Sequence, residues 1–218
     1  MENKIAFITG ATAGIGQAIA ELLAEKNYAL VLCGRRQERL DKLEETLGKK
    51  TEVTTLCFDV RDRTAVKAAI TSLPANWAKV DLLINNAGNA HGLQPFHEGN
   101  LDDWEAMIDI NVKGLLYVSK YIIPQMVERK TGQVINIGSI AGKEVYPNGN
   151  VYCASKFSVD AITQGMRLDL NPYGIKVTAI NPGLVETEFS LVRFKGDQAR
   201  AAQVYKGYTP LYAQDVAE

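Results

Sequence analysis

A glycine-rich turn near the N-terminus constrains the fold of this chain more than any other feature. The apolar run at residues 4–9 is typical of a buried strand, and the pattern G-x-x-x-G-x-G follows it from Gly10 to Gly16. Apolar residues at helical spacing then continue to Leu23. A strand, a glycine turn and a helix in this order predict an α/β fold whose helix N-terminus binds a phosphate. Taken alone, the turn is also compatible with a tight bend that binds nothing.

The whole chain alternates between strand patterns and helix patterns. Such alternation predicts a Rossmann-type, doubly wound parallel sheet in a three-layer α/β/α arrangement. Strands are expected near residues 4–9, 28–33, 52–58, 80–85, 132–138 and 175–180, and helices near 14–26, 36–47, 62–72, 102–129, 150–171 and 184–206. The last helix is expected to be broken or mobile, and Pro124 should kink or end the helix at 102–129.

Tyr152 and Lys156 form a Tyr-x-x-x-Lys pair in a helical pattern that follows Ser139. Residues i and i+4 share one helix face, so the ammonium should lower the pKa of the phenol toward working pH. A phenol of that kind can exchange a proton with an alcohol. Alone the pair is weak evidence, because any helix can carry an exposed tyrosine and a solvated lysine.

Asparagines mark three further segments. Asn85-Asn86-Ala87-Gly88 follows the fourth predicted strand and Asn181-Pro182-Gly183 follows the sixth. The first of these is either a simple loop or a floor of small residues for an adenosine. Asn111 interrupts an apolar helical pattern, where a buried amide needs hydrogen-bonding partners. Ser139 and Asn111 could each be structural residues, at a strand end and in a helix kink.

Together these motifs resemble the short-chain dehydrogenase/reductase family, in order and over essentially the whole chain. Residues 34–40, 132–139 and 188–197 are similar to its NADP-dependent 3-hydroxy acid dehydrogenase branch, whose members act on serine, allo-threonine and small 3-hydroxy acids. The resemblance implies one dinucleotide-binding and catalytic domain over residues 1–218, with a substrate lid at about 184–206. It also implies an oxidoreductase that transfers a hydride between NADP and the 3-hydroxyl carbon.

The resemblance assigns one role to each catalytic candidate. Tyr152 is the general acid/base, and Lys156 lowers its pKa and holds the nicotinamide ribose hydroxyls. Ser139 hydrogen-bonds the substrate oxygen, and Asn111 holds a water that links Lys156 to solvent. The substrate-binding candidates are Ser139, Tyr152 and Arg193. We expect Arg193, in the lid, to hold a substrate carboxylate; a solvated residue or a contact to the cofactor phosphates are the alternatives.

Cofactor choice depends on the end of the second strand, where Gly34-Arg35-Arg36 replaces the Asp or Glu typical of NAD enzymes. No carboxylate is expected there to repel a 2′-phosphate, and two guanidinium groups at a positive helix end favour NADP over solvated arginines. By resemblance, Asp59 and Val60 reach the adenine, and Val185 and Thr187 contact the nicotinamide amide. The cofactor-binding candidates are Gly10, Thr12, Gly14, Ile15, Gly16, Arg35, Arg36, Asp59, Val60, Asn86, Ala87, Gly88, Tyr152, Lys156, Pro182, Gly183, Val185 and Thr187.

Composition excludes several classes of partner. The net charge is −1, with 24 basic and 25 acidic residues interspersed, so we expect no nucleic acid and no membrane as partner. No apolar run approaches the ~18 residues of a membrane span, and no signal-peptide pattern is present. His91 and His97 are well separated in one loop, so no metal is expected. A small-molecule substrate and a cytoplasmic location fit best.

By resemblance, the helices near 102–129 and 150–171 pair with a second copy, giving a homodimer or homotetramer. Family members continue after a point matching residues 215–218 with a helix and a seventh strand. Here the C-terminal strand is expected to be missing, because the protein is truncated or because its last segment lies outside this sequence. Two other functions stay open: a 3-oxoacyl carrier-protein reductase or broad carbonyl reductase, and a non-catalytic NADP-binding redox sensor. Sensors of that kind typically lose the Tyr/Lys pair, which this chain keeps.

Overall fold

Six parallel strands form the centre of the computed structural model, which describes residues 3–218. The strands are β1 (Ile5–Thr9), β2 (Ala29–Gly34), β3 (Val53–Cys57), β4 (Val80–Asn85), β5 (Gln133–Ile137) and β6 (Lys176–Ile180). Their order in the sheet is β3-β2-β1-β4-β5-β6. The direction of winding therefore reverses between β1 and β4, which is where open α/β sheets bind their ligands.

Helices connect these strands. They are α1 (Gly14–Glu25), α2 (Gln37–Leu47), α3 (Arg63–Thr71), α4 (Leu101–Ile108), α5 (Leu115–Arg129) and α6 (Asn150–Leu170). A π-helical segment, Asp109–Gly114, joins α4 to α5, and 3-10 turns lie at Phe96–Glu98, Ile140–Gly142 and Asn171–Tyr173. After β6 come β7 (Val185–Glu186), α7 (Phe189–Arg193), α8 (Gln198–Gln203), β8 (Leu211–Tyr212) and α9 (Ala213–Ala217).

Neighbouring residues of one strand pack into two separate cores, one on each face of the sheet. Phe7 of β1 packs in a cluster with Val66 of α3 and Val118 of α5. The next residue, Ile8, packs with Ile19 of α1 and Leu40 of α2. Because both faces are covered, the strands are continuous apolar runs rather than alternating ones. The predicted doubly wound, three-layer fold is confirmed.

Two of the predicted helices differ from those observed. The stretch at 102–129 is not one helix, because the π-helical segment Asp109–Gly114 divides it. Pro124 lies inside α5 and does not end it, since the helix continues to Arg129. The stretch at 184–206 contains β7 and the short helices α7 and α8 instead of one broken helix. β7 pairs in parallel with β8, so this segment forms a small structure of its own.

The segment after β8 packs back on the first helix of the chain. α9 contacts α1, and Ala217 packs against the core that contains Ile8. Within residues 3–218, β6 lies at one edge of the sheet. In the same range no helix is long and apolar enough to cross a membrane, and no group of three or more His, Cys, Asp or Glu is placed to hold a metal ion.

Candidate active site

The turn after β1 is pressed directly against the loop after β4. Gly10 has φ +65°, and a Cβ on it would lie 2.9 Å from the Cα of Ala87. A Cβ on Gly16 would clash with the carbonyl oxygen of Gly10. Asn86 Nδ2 joins the two loops by donating to the carbonyls of Thr9 (2.9 Å) and Gly10 (3.1 Å). Glycine is therefore required at both positions for the loops to approach each other.

α1 begins at this turn without a side-chain cap. Ala13 at the N-cap makes no side-chain hydrogen bond, and no acidic residue lies in the first turn. The helix therefore presents unpaired N–H groups and the positive end of its dipole. Gly14, with φ +52°, keeps this end open, because a Cβ there would lie 3.2 Å from Thr187 Cγ2. Such an end suits the diphosphate of a dinucleotide.

A cleft of about 320 Å³ runs along the carboxyl ends of the strands. It is lined by every cofactor-binding candidate except Gly16: Gly10, Thr12, Gly14, Ile15, Arg35, Arg36, Asp59, Val60, Asn86, Ala87, Gly88, Tyr152, Lys156, Pro182, Gly183, Val185 and Thr187. Ser139 also lines it, whereas Asn111 and Arg193 do not. Gly16 serves the packing of the turn instead, as its close approach to Gly10 indicates.

Asn111 lies in the π-helical segment and ties the loop after β4 to α6. Its side chain is buried, with Nδ2 donating to the Asn89 carbonyl (2.8 Å) and to Ser155 Oγ (2.9 Å). Its Oδ1 accepts the N–H of Asn89 at 2.9 Å. Ser155 Oγ in turn donates to the Tyr152 carbonyl at 2.7 Å. The buried amide thus has the partners that its position requires, and it anchors the helix that carries Tyr152.

Tyr152 and Lys156 are both buried in the first half of α6, with 8% and 6% of their surfaces exposed. Lys156 Nζ donates to the Ile137 carbonyl at 3.0 Å. Burial lowers the pKa of Lys156 to about 8. Burial also raises the pKa of Tyr152 to about 12, and a hydrogen bond with Ser139 and the charge of Arg193 act in the opposite direction.

The prediction that Lys156 lowers the pKa of Tyr152 is wrong in this structure. Loss of hydration dominates both groups, because burial disfavours the phenolate and the ammonium alike. The Lys156 ammonium is held at the Ile137 carbonyl, and the cation that lowers the phenol pKa is Arg193 instead. The spacing of the two residues was read correctly, but spacing does not report burial.

Ser139 lies where β5 ends, as the sequence predicted, and begins the 3-10 turn Ile140–Gly142. Its Oγ accepts the N–H of Ala141 at 3.1 Å, and its own N–H donates to Asn181 Oδ1 at 3.2 Å. The hydroxyl proton stays available for a second partner, because Oγ only accepts in the Ala141 bond. Asn181, from the loop after β6, thereby fixes the backbone of Ser139.

Arg193 lies in a smaller cavity that shares Tyr152 with the cleft. Its Cζ is 5.4 Å from the centroid of the Tyr152 ring and 5.6 Å from that of Tyr146. Nε donates to the Gly92 carbonyl at 3.1 Å, and Nη2 donates to Tyr146 Oη at 2.8 Å. Both acceptors are neutral, so neither matches the charge of this guanidinium.

The other end of the cleft holds several charged side chains. Arg36 Nη1 lies 2.9 Å from Glu188 Oε2, and Arg39 Nη1 lies 2.8 Å from Glu188 Oε1. Arg35 Nη1 lies 3.6 Å from Asp59 Oδ2. The end of the second strand itself carries no carboxylate, as predicted, but Asp59 and Glu188 reach the arginines from other segments. Glu188 comes from a segment 152 residues further along the chain, which local sequence reasoning could not bring to this point.

Comparison with known sequences identifies the family of this chain. The family described as short chain dehydrogenase matches residues 4–197. The chain belongs to this family. The NADP-dependent 3-hydroxy acid dehydrogenase YdfG of Salmonella typhi is 47% identical over 215 residues, covering 98% of this chain and 86% of that protein. Sulfoacetaldehyde reductase 2 of Chromohalobacter salexigens is 46% identical over 217 residues, covering 99% of this chain and 86% of that protein.

Solved structures give the same grouping. The closed form of serine dehydrogenase complexed with NADP+ matches this short-chain dehydrogenase with a TM-score of 0.93 and 45% sequence identity. The match covers 98% of this chain and 86% of that one. The expected resemblance to the short-chain dehydrogenase family and to its 3-hydroxy acid dehydrogenase branch is thereby confirmed.

Sequence reasoning missed several residues of this short-chain dehydrogenase that line its site. Glu188 reaches the arginines at the phosphate end, and Tyr146 holds Arg193. Asn89 lines the cleft, and its buried Oδ1 has no hydrogen-bond partner within residues 3–218. A buried acceptor of this kind requires a partner, so it marks a polar position in the cleft. Glu188 lies in the segment 188–197, but no local sequence pattern connects it to Arg36.

Proposed function

We propose that this short-chain dehydrogenase is an NADP-dependent oxidoreductase acting on small 3-hydroxy acids of the serine, allo-threonine or 3-hydroxypropionate type, or reducing the corresponding 3-oxo acids. The main support is the position of Arg193, whose guanidinium lies 5.4 Å from the ring of Tyr152. A proton-transfer group and a cation suited to a carboxylate are thus adjacent. The names of the serine dehydrogenase and the 3-hydroxy acid dehydrogenase matched above support the same substrate class.

The cleft carries donors that suit the diphosphate and the 2′-phosphate of NADP. The uncapped start of α1 and the glycines beside it would hold the diphosphate, and Arg35 and Arg36 would hold the 2′-phosphate. Lys156 would bind the nicotinamide ribose hydroxyls, and Val185 and Thr187 the nicotinamide amide. When bound, NADP supplies the hydride donor or acceptor, while the protein orients it.

Each catalytic candidate has a defined task in this proposal. Tyr152 accepts the hydroxyl proton during oxidation and returns it during reduction. Ser139 donates a hydrogen bond to the substrate oxygen, where negative charge develops. Asn111 fixes α6 against the loop after β4 and holds the water that links Lys156 to solvent. The raised pKa of Tyr152 favours the protonated phenol, which is the form needed for reduction.

The segment at 184–206 serves as the substrate lid, and Arg193 at the end of α7 is its contact to the substrate. Its two anchors, Gly92 and Tyr146, come from different loops, so they fix the guanidinium beside Tyr152. A small hydroxy acid offers little apolar surface, and its carboxylate must therefore supply much of the binding. A guanidinium fork suits that group better than an ammonium.

Initial rates of Arg193→Ala on a 3-hydroxy acid and on its neutral methyl ester test the proposal. We expect the transition-state stabilisation calculated from kcat/KM to fall by about 1–3 kcal/mol for the acid and far less for the ester. Arg200→Ala is the matched control, because Arg200 lies in the same segment over the Phe194 ring, at 4.6 Å. An equal loss for acid and ester would move Arg193 to cofactor binding or lid closure and would weaken the hydroxy-acid assignment.

A substrate panel separates the remaining functions. It contains 3-hydroxy acids, neutral alcohols, acyl thioesters and a short sulfonated aldehyde, each assayed with NADP(H) and NAD(H). Faster turnover of acyl thioesters would favour a 3-oxoacyl reductase, and faster turnover of the sulfonated aldehyde would favour a sulfoacetaldehyde reductase. No turnover of any compound, with NADP binding intact, would indicate a redox sensor.

We also propose that the chain forms a homodimer or homotetramer through α5 and α6. Phe157 and Leu168 of α6 are 41% and 77% exposed, and Leu116 of α5 is 42% exposed. Phe157 and Leu168 lie eleven positions apart, about three helical turns, so they share one face of α6. Light scattering tests the proposal, and a monodisperse monomer at micromolar concentration would contradict it.

A further inference from the structure

Four charged side chains form a cluster at one end of the cleft, where Asp59 also pairs with Arg35 at 3.6 Å: Arg35, Arg36, Arg39 and Glu188. We call it the phosphate-end cluster. Glu188 occupies its centre, with one carboxylate oxygen 2.9 Å from Arg36 Nη1 and the other 2.8 Å from Arg39 Nη1. Arg35, Arg36 and Glu188 also line the cleft itself. The acidic residue therefore lies among the cations that a 2′-phosphate would meet.

All three guanidinium nitrogens of Arg36 already donate hydrogen bonds within the protein. Its Nη1 donates to Glu188, and its Nη2 donates to Thr12 Oγ1 (3.1 Å) and to the Thr12 carbonyl (3.2 Å). Its Nε donates to Thr12 Oγ1 at 3.3 Å. Thr12 is neutral and belongs to the glycine turn, so it holds Arg36 in place without using its charge. Glu188 is the partner that a phosphate must displace or share.

Glu188 carries its negative charge at neutral pH. The hydrogen bond from Arg36, followed by that from Arg39, lowers the pKa of this carboxyl despite the opposing effect of burial. An ionised carboxylate repels a phosphate that approaches the same guanidinium groups. The side chains of Arg36 and Glu188 are 43% and 42% exposed, so water can replace either partner and the pair can exchange.

We infer that Glu188 is a specificity-determining residue that competes with the 2′-phosphate of the cofactor for Arg36 and Arg39. It limits the preference for NADP over NAD and keeps NADP binding weaker than the three arginines alone would make it. Arg39 thereby becomes a third cation of the phosphate site, beside Arg35 and Arg36. The inference rests on the proposed use of NADP and deepens it, because it concerns the strength and not only the identity of the cofactor preference.

Two nucleotides that differ only in the phosphate isolate this effect. Calorimetric titration of the full chain with adenosine 2′,5′-bisphosphate and with 5′-AMP gives two dissociation constants, and their ratio reports the preference for the 2′-phosphate. The charge-removing variant is Glu188→Gln, and Glu188→Asp retains the charge. Glu186→Gln removes the same charge two positions away, on β7, and is the matched control.

Glu188→Gln is expected to raise the preference for the bisphosphate by about three- to tenfold, through tighter binding of the bisphosphate alone. Glu188→Asp and Glu186→Gln should keep the wild-type ratio. An unchanged ratio in Glu188→Gln would overturn the inference. A loss of affinity for the bisphosphate would also overturn it, because Glu188 would then be holding the arginines in their binding positions.

The same titrations separate this inference from the use of NADP. If wild type prefers the bisphosphate and Glu188→Gln does not change the ratio, NADP use stands and the competition by Glu188 fails. If wild type shows no preference but Glu188→Gln creates one, the competition is real and the proposed NADP use fails. Equal changes in Glu188→Gln and Glu186→Gln would reduce the effect to net charge and would reject the specific contact.

Discussion

The two ends of the cleft differ in how far their ionisable groups are exposed to solvent. At the catalytic end, Tyr152 and Lys156 are almost fully buried, and burial moves their pKa values to about 12 and about 8. At the phosphate end, Arg36 and Glu188 are 43% and 42% exposed and neutralise each other directly. Burial fixes the geometry and the protonation state of the catalytic side chains, whereas a solvent-exposed ion pair can exchange partners. Chemistry needs the first property, and a cofactor that enters and leaves needs the second.

The largest expected effect comes from removing the proton-transfer group at the buried end. Tyr152→Phe should lower turnover by at least about 10²–10⁴-fold, because only the hydroxyl that moves the proton is lost. NADPH binding, measured by fluorescence, should stay unchanged. Tyr173→Phe, at a half-exposed tyrosine, is the control. Near-normal turnover in Tyr152→Phe would end the proposed mechanism and the contrast between the two ends.

The next largest effect is a pH dependence of stability, which reports how strongly Lys156 is desolvated at the catalytic end. The pKa of Lys156 is lowered from 10.5 to about 8, so between these pH values the unfolded chain binds one more proton than the folded protein. The contribution of Lys156 to the free energy of unfolding should therefore rise with pH across this window, by up to about 3 kcal/mol. Burial raises the pKa of Cys33 well above 9.0 and that of Tyr152 from 10.0 to about 12, so these two groups act in the opposite direction from about pH 9 and about pH 10 upward.

Urea unfolding at several pH values tests the Lys156 contribution. The free energy of unfolding of wild type minus that of Lys156→Met should rise with pH across the window. Lys42→Met, which removes an exposed lysine of α2, should behave as wild type. If wild type and Lys156→Met show the same pH dependence, Lys156 is hydrated and the catalytic end is not dry.

The smallest of these effects concerns the phosphate end. The double variant Arg35→Ala/Arg36→Ala should weaken NADP binding by about tenfold or more, since charge-assisted hydrogen bonds to the 2′-phosphate are lost. NAD binding should change little, because NAD has a hydroxyl in place of that phosphate. Equal losses for both cofactors would show that the arginines do not recognise the phosphate, and the comparison of the two ends would then rest on exposure alone.

Sequence reasoning predicted those parts of the site that depend on local chain geometry. The glycine turn, the asparagine loop and the position of Ser139 all follow from short motifs at strand ends, where a parallel sheet brings loops together. The Glu188–Arg36 pair could not be predicted in this way, because it depends on how a distant segment folds back. The prediction of a lowered pKa for Tyr152 failed for another reason: the pKa depends on burial, which the spacing to Lys156 does not encode.

The π-helical segment Asp109–Gly114 lets the helical stretch from α4 to α5 pack against two different hydrophobic clusters. It holds an extra residue in a turn, so everything from Leu115 onward is rotated by about 100° relative to an unbroken α-helix. Before it, Met107 packs with Tyr152; after it, Val118 packs in the core beneath the sheet. The segment therefore changes which side of the helix is hydrophobic, between α4 and α5. A one-residue deletion there would restore a regular helix and yet turn one face away from its core.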